Sequence, residues 1–132
     1  DINPFEAGLA FAVSLDKPAE FRGRGALQAI KAAGGAAAVA RRILSLVVDA
    51  PHTNLWGGEL VLRNNVPVGS VTSAAFGHTI GNPVALGIVS NAHGPADKAW
   101  IESGTYTVDL AGERYSAQVS LKAPLDSTAT RA

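Results

Sequence analysis

Large apolar residues fall in short runs along this chain, separated by Gly, Pro, Asn and Asp, and the spacing within the runs changes after the first third. The first run, "LAFAVSL" at residues 9–15, has no helical spacing and stops at Asp16-Lys17-Pro18, which predicts a buried strand closed by a turn. "EFRGRGALQAIKAAGG" follows. Here Ala26, Leu27 and Ile30 share one helical face, Lys31 stands near the end and Gly34 is a natural stop, so the segment predicts one short amphipathic helix. "GGAAAVA" then reads as a connector or a frayed helix end.

From there the pattern is strand and turn. "RRILSLVVDA" is rich in Val, Ile and Leu, and "ELVLR" and "VPVGSVTSA" flank Asn64-Asn65, a residue pair that tolerates the positive φ of a two-residue hairpin. "NPVALGIVS" is a further apolar strand. "TYTVDL" alternates before Ala111-Gly112 turns the chain into "ERYSAQVSLK", which alternates again. Six short strands at intervals of roughly ten residues predict a mainly β fold, a small six-stranded Greek-key-like barrel closed or nearly closed because closure removes exposed edges, preceded by a strand and one short helix. Pro51, Pro83, Pro95 and Pro124 fall at strand starts or in loops. Pro67 sits one residue into its strand and implies an edge position or a later start.

Composition sharpens this picture. A chain of 132 residues, 47% apolar and 17% charged, is the size of one domain and expected to fold. Eleven basic and eleven acidic residues give zero formal charge, which argues against a nucleic-acid partner. Its apolar runs fall short of the ~20 residues of a membrane helix, so no membrane partner is expected. Without Cys there is no disulfide, thiolate metal site or Cys nucleophile, which is compatible with the cytoplasm or a mitochondrial matrix. Trp56 and Trp100 are expected to cover a barrel end.

Candidate chemistry is sparse. His52, His78 and His93 all lie in turns; no paired His at metal spacing and no Gly-x-Ser-x-Gly elbow occurs, so neither a metal site nor a catalytic residue is assigned. "RGRGAL" lacks the third Gly of a dinucleotide fingerprint, since position 28 is Gln, and Arg22 and Arg24 are read as solvating and capping the helix start. Glu6 is the one acid in its apolar run and must face water, pair with a base or meet a ligand donor. Lys17, in the turn after the first run, is a candidate for an anionic ligand tail.

Four segments in order, "NPFEAGLAFAVSLDKPAEFRGRGAL", "RRILSLVV", "GGELVLRNNVPVGSVTSAAFGHTIGNPVALGIV" and "YTVDLAGERYSAQVSLKAPLD", resemble the C-terminal part of the folate-dependent aminomethyltransferase family. That family includes the glycine-cleavage T-protein and the folate portions of dimethylglycine and sarcosine dehydrogenases and oxidases. The most specific stretch is Val68-Gly69-Ser70-Val71-Thr72-Ser73, followed by Thr79-Ile80-Gly81 and an Ala-Leu-Gly strand. Arg22 departs from the branched apolar residue usual there and Gly25 from the common Glu. The "FGHTIG" loop is nearer to the dimethylglycine and sarcosine branch, and the absence of Cys excludes an iron-sulfur assembly branch with a Lys-Gly-Cys signature.

The resemblance implies that residues 1–41 are the end of a folate-binding domain and residues 42–132 a closing barrel, in a chain truncated from a longer enzyme. Its implied cofactor is tetrahydrofolate, with FAD possible on a separate domain, and its implied partners are the upstream folate-binding domain and a small-molecule amine. It places Glu6 and Lys17 near the cofactor, with His78 a third cofactor-binding candidate; the family's catalytic residues lie upstream of these motifs. The alternative is a self-standing, non-catalytic β-barrel used for binding or regulation.

Overall fold

β1 (Arg41–Val48) alternates between half-buried and buried residues along its whole length, and its inward series Arg42, Leu44, Leu46 and Val48 sets the axis of the core. The computed structural model describes residues 1–125. β1 is followed by β2 (Leu60–Arg63), β3 (Val66–Gly77), β4 (Asn82–Ser90), a short helix, β5 (Tyr106–Leu110) and β6 (Glu113–Ser120). Each strand pairs antiparallel with its neighbours in the closed order β1-β4-β3-β2-β5-β6. β2, β3 and β4 form a meander, and the long 49–59 connection carries β1 round to lie beside β4. That is the Greek-key barrel expected from the strand pattern.

The turns follow the local chemistry. Asn64 and Asn65 both adopt positive φ, 50° and 66°, closing the β2–β3 hairpin, and Ala111 and Gly112, at 53° and 90°, close β5–β6. Pro67 pairs with Leu62 but lies beyond Gly69↔Val89, the last β3–β4 pair, so its missing N–H falls where the barrel wall is locally an edge. β3 is the longest strand and bends through two register shifts, between Val61 and Leu62 opposite it and between its own Val71 and Ser73.

The barrel has a solid interior. Leu44, Leu46, Val48, Val61, Val71, Val89 and Val108 meet there with Ala85, Ile101 and Tyr106. The walls come close because of two glycines: a Cβ on Gly69 would overlap the carbonyl oxygen of Ile88, and one on Gly87 would lie 2.9 Å from Leu46 Cδ1 and 3.2 Å from the Ser70 carbonyl oxygen.

The predicted amphipathic helix is α1 (Arg24–Ala32), which ends before Gly34 at φ 114°. The "GGAAAVA" connector contains one 3-10 turn, Gly35–Ala37. The strand predicted over residues 9–15 is not formed. Ala10–Ala12 make a 3-10 turn instead, because no neighbouring strand among the described residues offers a ladder to pair with.

The second helix, α2 (Lys98–Glu102), is capped by Asp97, whose Oδ1 accepts from the Trp100 N–H at 2.8 Å. It inserts Ile101 into the core and lays Trp100 against it. Trp100 thus covers a barrel end as expected, whereas Trp56 is 85% exposed. The Glu59 carboxylate accepts from the Trp56 and Gly57 N–H groups at 2.6 and 2.9 Å, fixing a turn that points the Trp56 ring outward.

Candidate functional site

At the start of β1, Arg41 reaches back to Glu6. Its Nε donates to Glu6 Oε1 at 3.0 Å and its Nη2 to Oε2 at 3.1 Å, while Nη2 also meets the Asp1 carbonyl oxygen. The Asn3 N–H donates to Glu6 Oε2, and Asn3 Oδ1 accepts from the Phe5 and Glu6 N–H groups, so a tight turn of backbone holds the carboxylate. Burial alone would push the Glu6 carboxyl up. The Arg41 hydrogen bonds and charge and the Asn3 N–H outweigh it and hold the group below its ordinary value.

Glu6 also extends the barrel wall. β6 pairs with β1 from Ser45 onward, leaving the head of β1 open on that side, and there the Ile43 N–H donates to the Glu6 carbonyl oxygen at 3.0 Å. Behind it Phe5 packs under Gly35, 3.4 Å from where a Cβ would stand. Of the three roles open to Glu6 in the sequence, the structure shows pairing with a base.

Lys17 lies in its predicted turn, exposed, with its Nζ 4.4 Å from the centroid of the Phe21 ring, a cation–π contact. Arg24 makes an i,i+4 pair with Glu20 and donates to the Leu15 carbonyl oxygen at 2.8 Å, so it ties the helix start to the preceding run. Arg22 is exposed.

His78 is exposed in the β3–β4 hairpin, its ring edge-on to Phe76 at 5.3 Å. That hairpin and the Glu6–Arg41 clasp lie at opposite ends of the barrel. Arg41 pairs with Ser90 and Val47 with Val84, six strand steps of about 3.3 Å apart, which makes a separation of about 20 Å. Glu6 and His78 are therefore not parts of one pocket within this chain. His52 and His93 are exposed in loops. Among the described residues no group of three or more His, Asp or Glu side chains could hold a metal ion.

Two arginines that sequence reading passed over organise the Glu6 end. Arg63 Nε and Nη2 donate to the Trp100 carbonyl oxygen, Nη2 donates to Ser103 Oγ, and the guanidinium stacks on the Trp100 ring at 4.6 Å. Arg42 follows Arg41 in β1, points inward and is buried, with Nη1 donating to the Ala36 carbonyl oxygen at 2.7 Å and Nε unpartnered among the described residues; burial lowers its pKa. Both contacts of Arg63 and Arg41 span more than thirty residues, and no local motif announces them.

The described surface carries several open recesses, some lined by polar side chains such as Arg63, Asn64, Asn91 and His93 and others apolar. A groove of about 480 Å³ runs across Ser45, Ser73, Ala75, Val84 and Leu86 under Pro124. A second, of about 240 Å³, lies against His78, Ile80 and Leu125. Neither gathers a carboxylate and a cation around one cavity.

Residues 41–126 match the family described as the glycine cleavage T-protein C-terminal barrel domain. The chain belongs to that family. It is 36% identical over 127 residues to mitochondrial sarcosine dehydrogenase of Mus musculus, a match that takes in 96% of this chain and 13% of that protein. Human mitochondrial dimethylglycine dehydrogenase is 34% identical over 125 residues, 95% of this chain and 13% of the relative. The mitochondrial pyruvate dehydrogenase phosphatase regulatory subunit of Mus musculus is 33% identical, over 89% of this chain and 14% of its own length. In the crystal structure of aminomethyltransferase T of the glycine cleavage system from Bartonella henselae, 31% of that chain superposes on 90% of this one, with a TM-score of 0.69 and 27% identity.

This chain therefore spans roughly an eighth of the length of the dehydrogenases it matches. The resemblance read from the sequence, to the C-terminal barrel of folate-dependent aminomethyltransferase-family enzymes, is established, together with the closed six-stranded fold. No helix among the described residues is long and apolar enough to cross a membrane.

Proposed function

We propose that this chain is the closing barrel of a longer tetrahydrofolate-dependent one-carbon-transfer enzyme, acting on a dimethylglycine- or sarcosine-type amine or on the aminomethyl donor of glycine cleavage. The observation that carries the proposal is a barrel match over residues 41–126 within relatives of which the chain covers only 13%. Residues 1–41 would belong to the folate-binding domain, 42–132 to the barrel. A flavin, where the enzyme carries one, would sit on a separate domain, and the compartment would be the cytoplasm or a mitochondrial matrix.

Among the described residues Glu6 and His78 do not line one pocket. Glu6 has both carboxylate oxygens engaged, Glu6 and His78 stand at opposite ends of the barrel, and the recesses near His78 are apolar. Tetrahydrofolate, when bound to the enzyme, would accept the one-carbon unit; no step of that transfer is placed on this chain. What these residues would supply is rigidity and shelter: a filled barrel, clasped to its N-terminal arm by Glu6 and Arg41, that excludes water from one side of the site. Lys17 has no carboxylate partner among the described residues and is suited to an anionic folate tail, with His78 a rim contact from the opposite end.

A second reading, a non-catalytic binding or regulatory barrel, is favoured by the relative whose name is that of a phosphatase regulatory subunit. The test is the intact mass of the native polypeptide, detected in source cells with an antibody against this chain. A much larger polypeptide that also transfers a one-carbon unit to tetrahydrofolate supports the enzyme reading. A native product near 13.5 kDa, or a large one without that activity, moves the assignment to the second.

A further inference from the structure

The barrel wall has a notch. β3 and β4 pair as far as Gly69↔Val89, and beyond that point no ladder pair joins residues 66–68 of β3 to residues 90–93. Between them lies a recess of about 270 Å³. Val66 and Val68 line it from β3, Ala92 and His93 from the loop after β4, and the Arg63 guanidinium and Trp100 complete the lining. At the ~30 Å³ that a water occupies in the liquid, it has room for about nine non-hydrogen atoms.

Arg63 is held still in this recess. Its Nε and Nη2 donate to the Trp100 carbonyl oxygen at 3.2 and 2.9 Å, and Nη2 donates to Ser103 Oγ at 3.0 Å. The guanidinium stacks on the Trp100 ring and packs so closely over Gly104 that a Cβ there would overlap Nε. Only Nη1 is left over. It has no hydrogen-bond partner, and Arg63 has no carboxylate partner, among the described residues. The Tyr106 hydroxyl, on the paired strand and within reach of the Arg63 charge, makes no hydrogen bond to it. In the opposite wall the Asn91 N–H donates to the Ala40 carbonyl oxygen and the His93 N–H to Asn91 Oδ1, while the Ala92 N–H between them has no partner among the described residues. A guanidinium already immobilised loses little further freedom when its open end meets an oxyanion.

We propose that the notch binds a small organic acid, a monocarboxylate on a compact apolar body, with the carboxylate on Arg63 Nη1 and the body against Val66 and Val68. One fixed cation matches one negative charge, so a carboxylate suits the recess better than a doubly charged phosphate. No acid lines the recess to meet an ammonium, so an amino acid is a poor ligand for it. This inference goes beyond the enzyme reading and does not rest on it. The recess uses none of Glu6, Lys17 and His78, and its test involves no folate.

Titration of the isotope-labelled 132-residue chain with benzoate at constant ionic strength, followed by NMR, tests this. Saturable shifts confined to the Ala92 and His93 amides, Arg63 Nε and the Trp100 indole, with a Kd of about 1 mM or below, are expected. Benzamide, which has the shape without the charge, and sarcosine, which adds an ammonium, bind at least about tenfold more weakly. Val66 pairs directly with Arg63 and is 61% exposed, so Val66→Asp lays a carboxylate on the guanidinium with little cost to the fold. It lowers benzoate affinity at least about tenfold at an unchanged or raised Tm, whereas Val66→Asn changes the affinity by less than about threefold. The proposal is overturned by the absence of saturable shifts in the recess up to about 20 mM benzoate, or by shifts spread over the other basic residues. Equal binding of benzamide or of inorganic phosphate overturns it too, as does a folded Val66→Asp chain that binds benzoate like the native one.

Discussion

Glu6 and Arg41, thirty-five positions apart, are joined by two hydrogen bonds that close the open corner of a β-barrel. The carboxylate is almost fully covered and the guanidinium less so, which places the pair between a surface ion pair and a buried one. Arg41→Ala strips a covered carboxylate of its partner and should destabilise the chain by about 1–2 kcal/mol, a fall of roughly 3–8 °C in Tm by calorimetry. Arg41→Lys recovers part of this, because a single ammonium cannot make the two-pronged contact.

The same carboxylate fixes a pH dependence. Its pKa in the folded chain lies below the ordinary value of 4.5, so the ionised form stabilises the fold at neutral pH, and that contribution is lost as the pH falls below 4.5 through the folded value. Urea unfolding at a series of pH values should show a steeper loss of stability in acid for the native sequence than for Glu6→Gln. The two curves should run parallel above pH 6, with Glu6→Gln the lower.

Gly69 faces the Ile88 carbonyl oxygen with no room for a side chain. Gly69→Ala must force β3 away from β4 and should cost at least about 2–3 kcal/mol, or prevent folding. Gly81→Ala, where open space surrounds the position but φ is 78°, should cost only the backbone strain of about 1–2 kcal/mol. Chemical denaturation of the two variants side by side separates the steric effect from the conformational one.

In the β2–β3 hairpin, Asn65 stands at φ 66° with nothing asked of its side chain in the described hydrogen bonds, whereas Asn64 Oδ1 accepts from the Thr105 N–H at 2.9 Å. Asn65→Gly should therefore be neutral or slightly stabilising. Asn64→Gly keeps the turn and the bond from its own N–H to the Thr105 carbonyl oxygen but loses the side-chain bond to the β5 start, and should destabilise by about 1 kcal/mol, read as a change in unfolding midpoint.

The strands, their order of appearance and both tight turns were legible because each is encoded locally: alternation in "TYTVDL", the Asn pair, the Gly after Ala111. Barrel closure followed from the problem of exposed edges. The contacts that place side chains were not legible, since Arg41 finds Glu6 and Arg63 finds Trp100 only after the barrel has formed. Trp56 was misplaced for a related reason, as the Glu59 turn that holds it outward depends on the backbone of neighbouring glycines. The 9–15 run carries a strand pattern without a strand because no strand among the described residues offers it a ladder.

The central claim, that this chain closes a folate enzyme without forming the folate site, is tested most directly by calorimetric titration of the 132-residue chain with 5-formyltetrahydrofolate, beside the native full-length polypeptide. Saturable binding by the long form and none by the short chain up to millimolar ligand is the predicted result. Stoichiometric micromolar binding by the short chain, abolished by Lys17→Ala or His78→Ala, would contradict it.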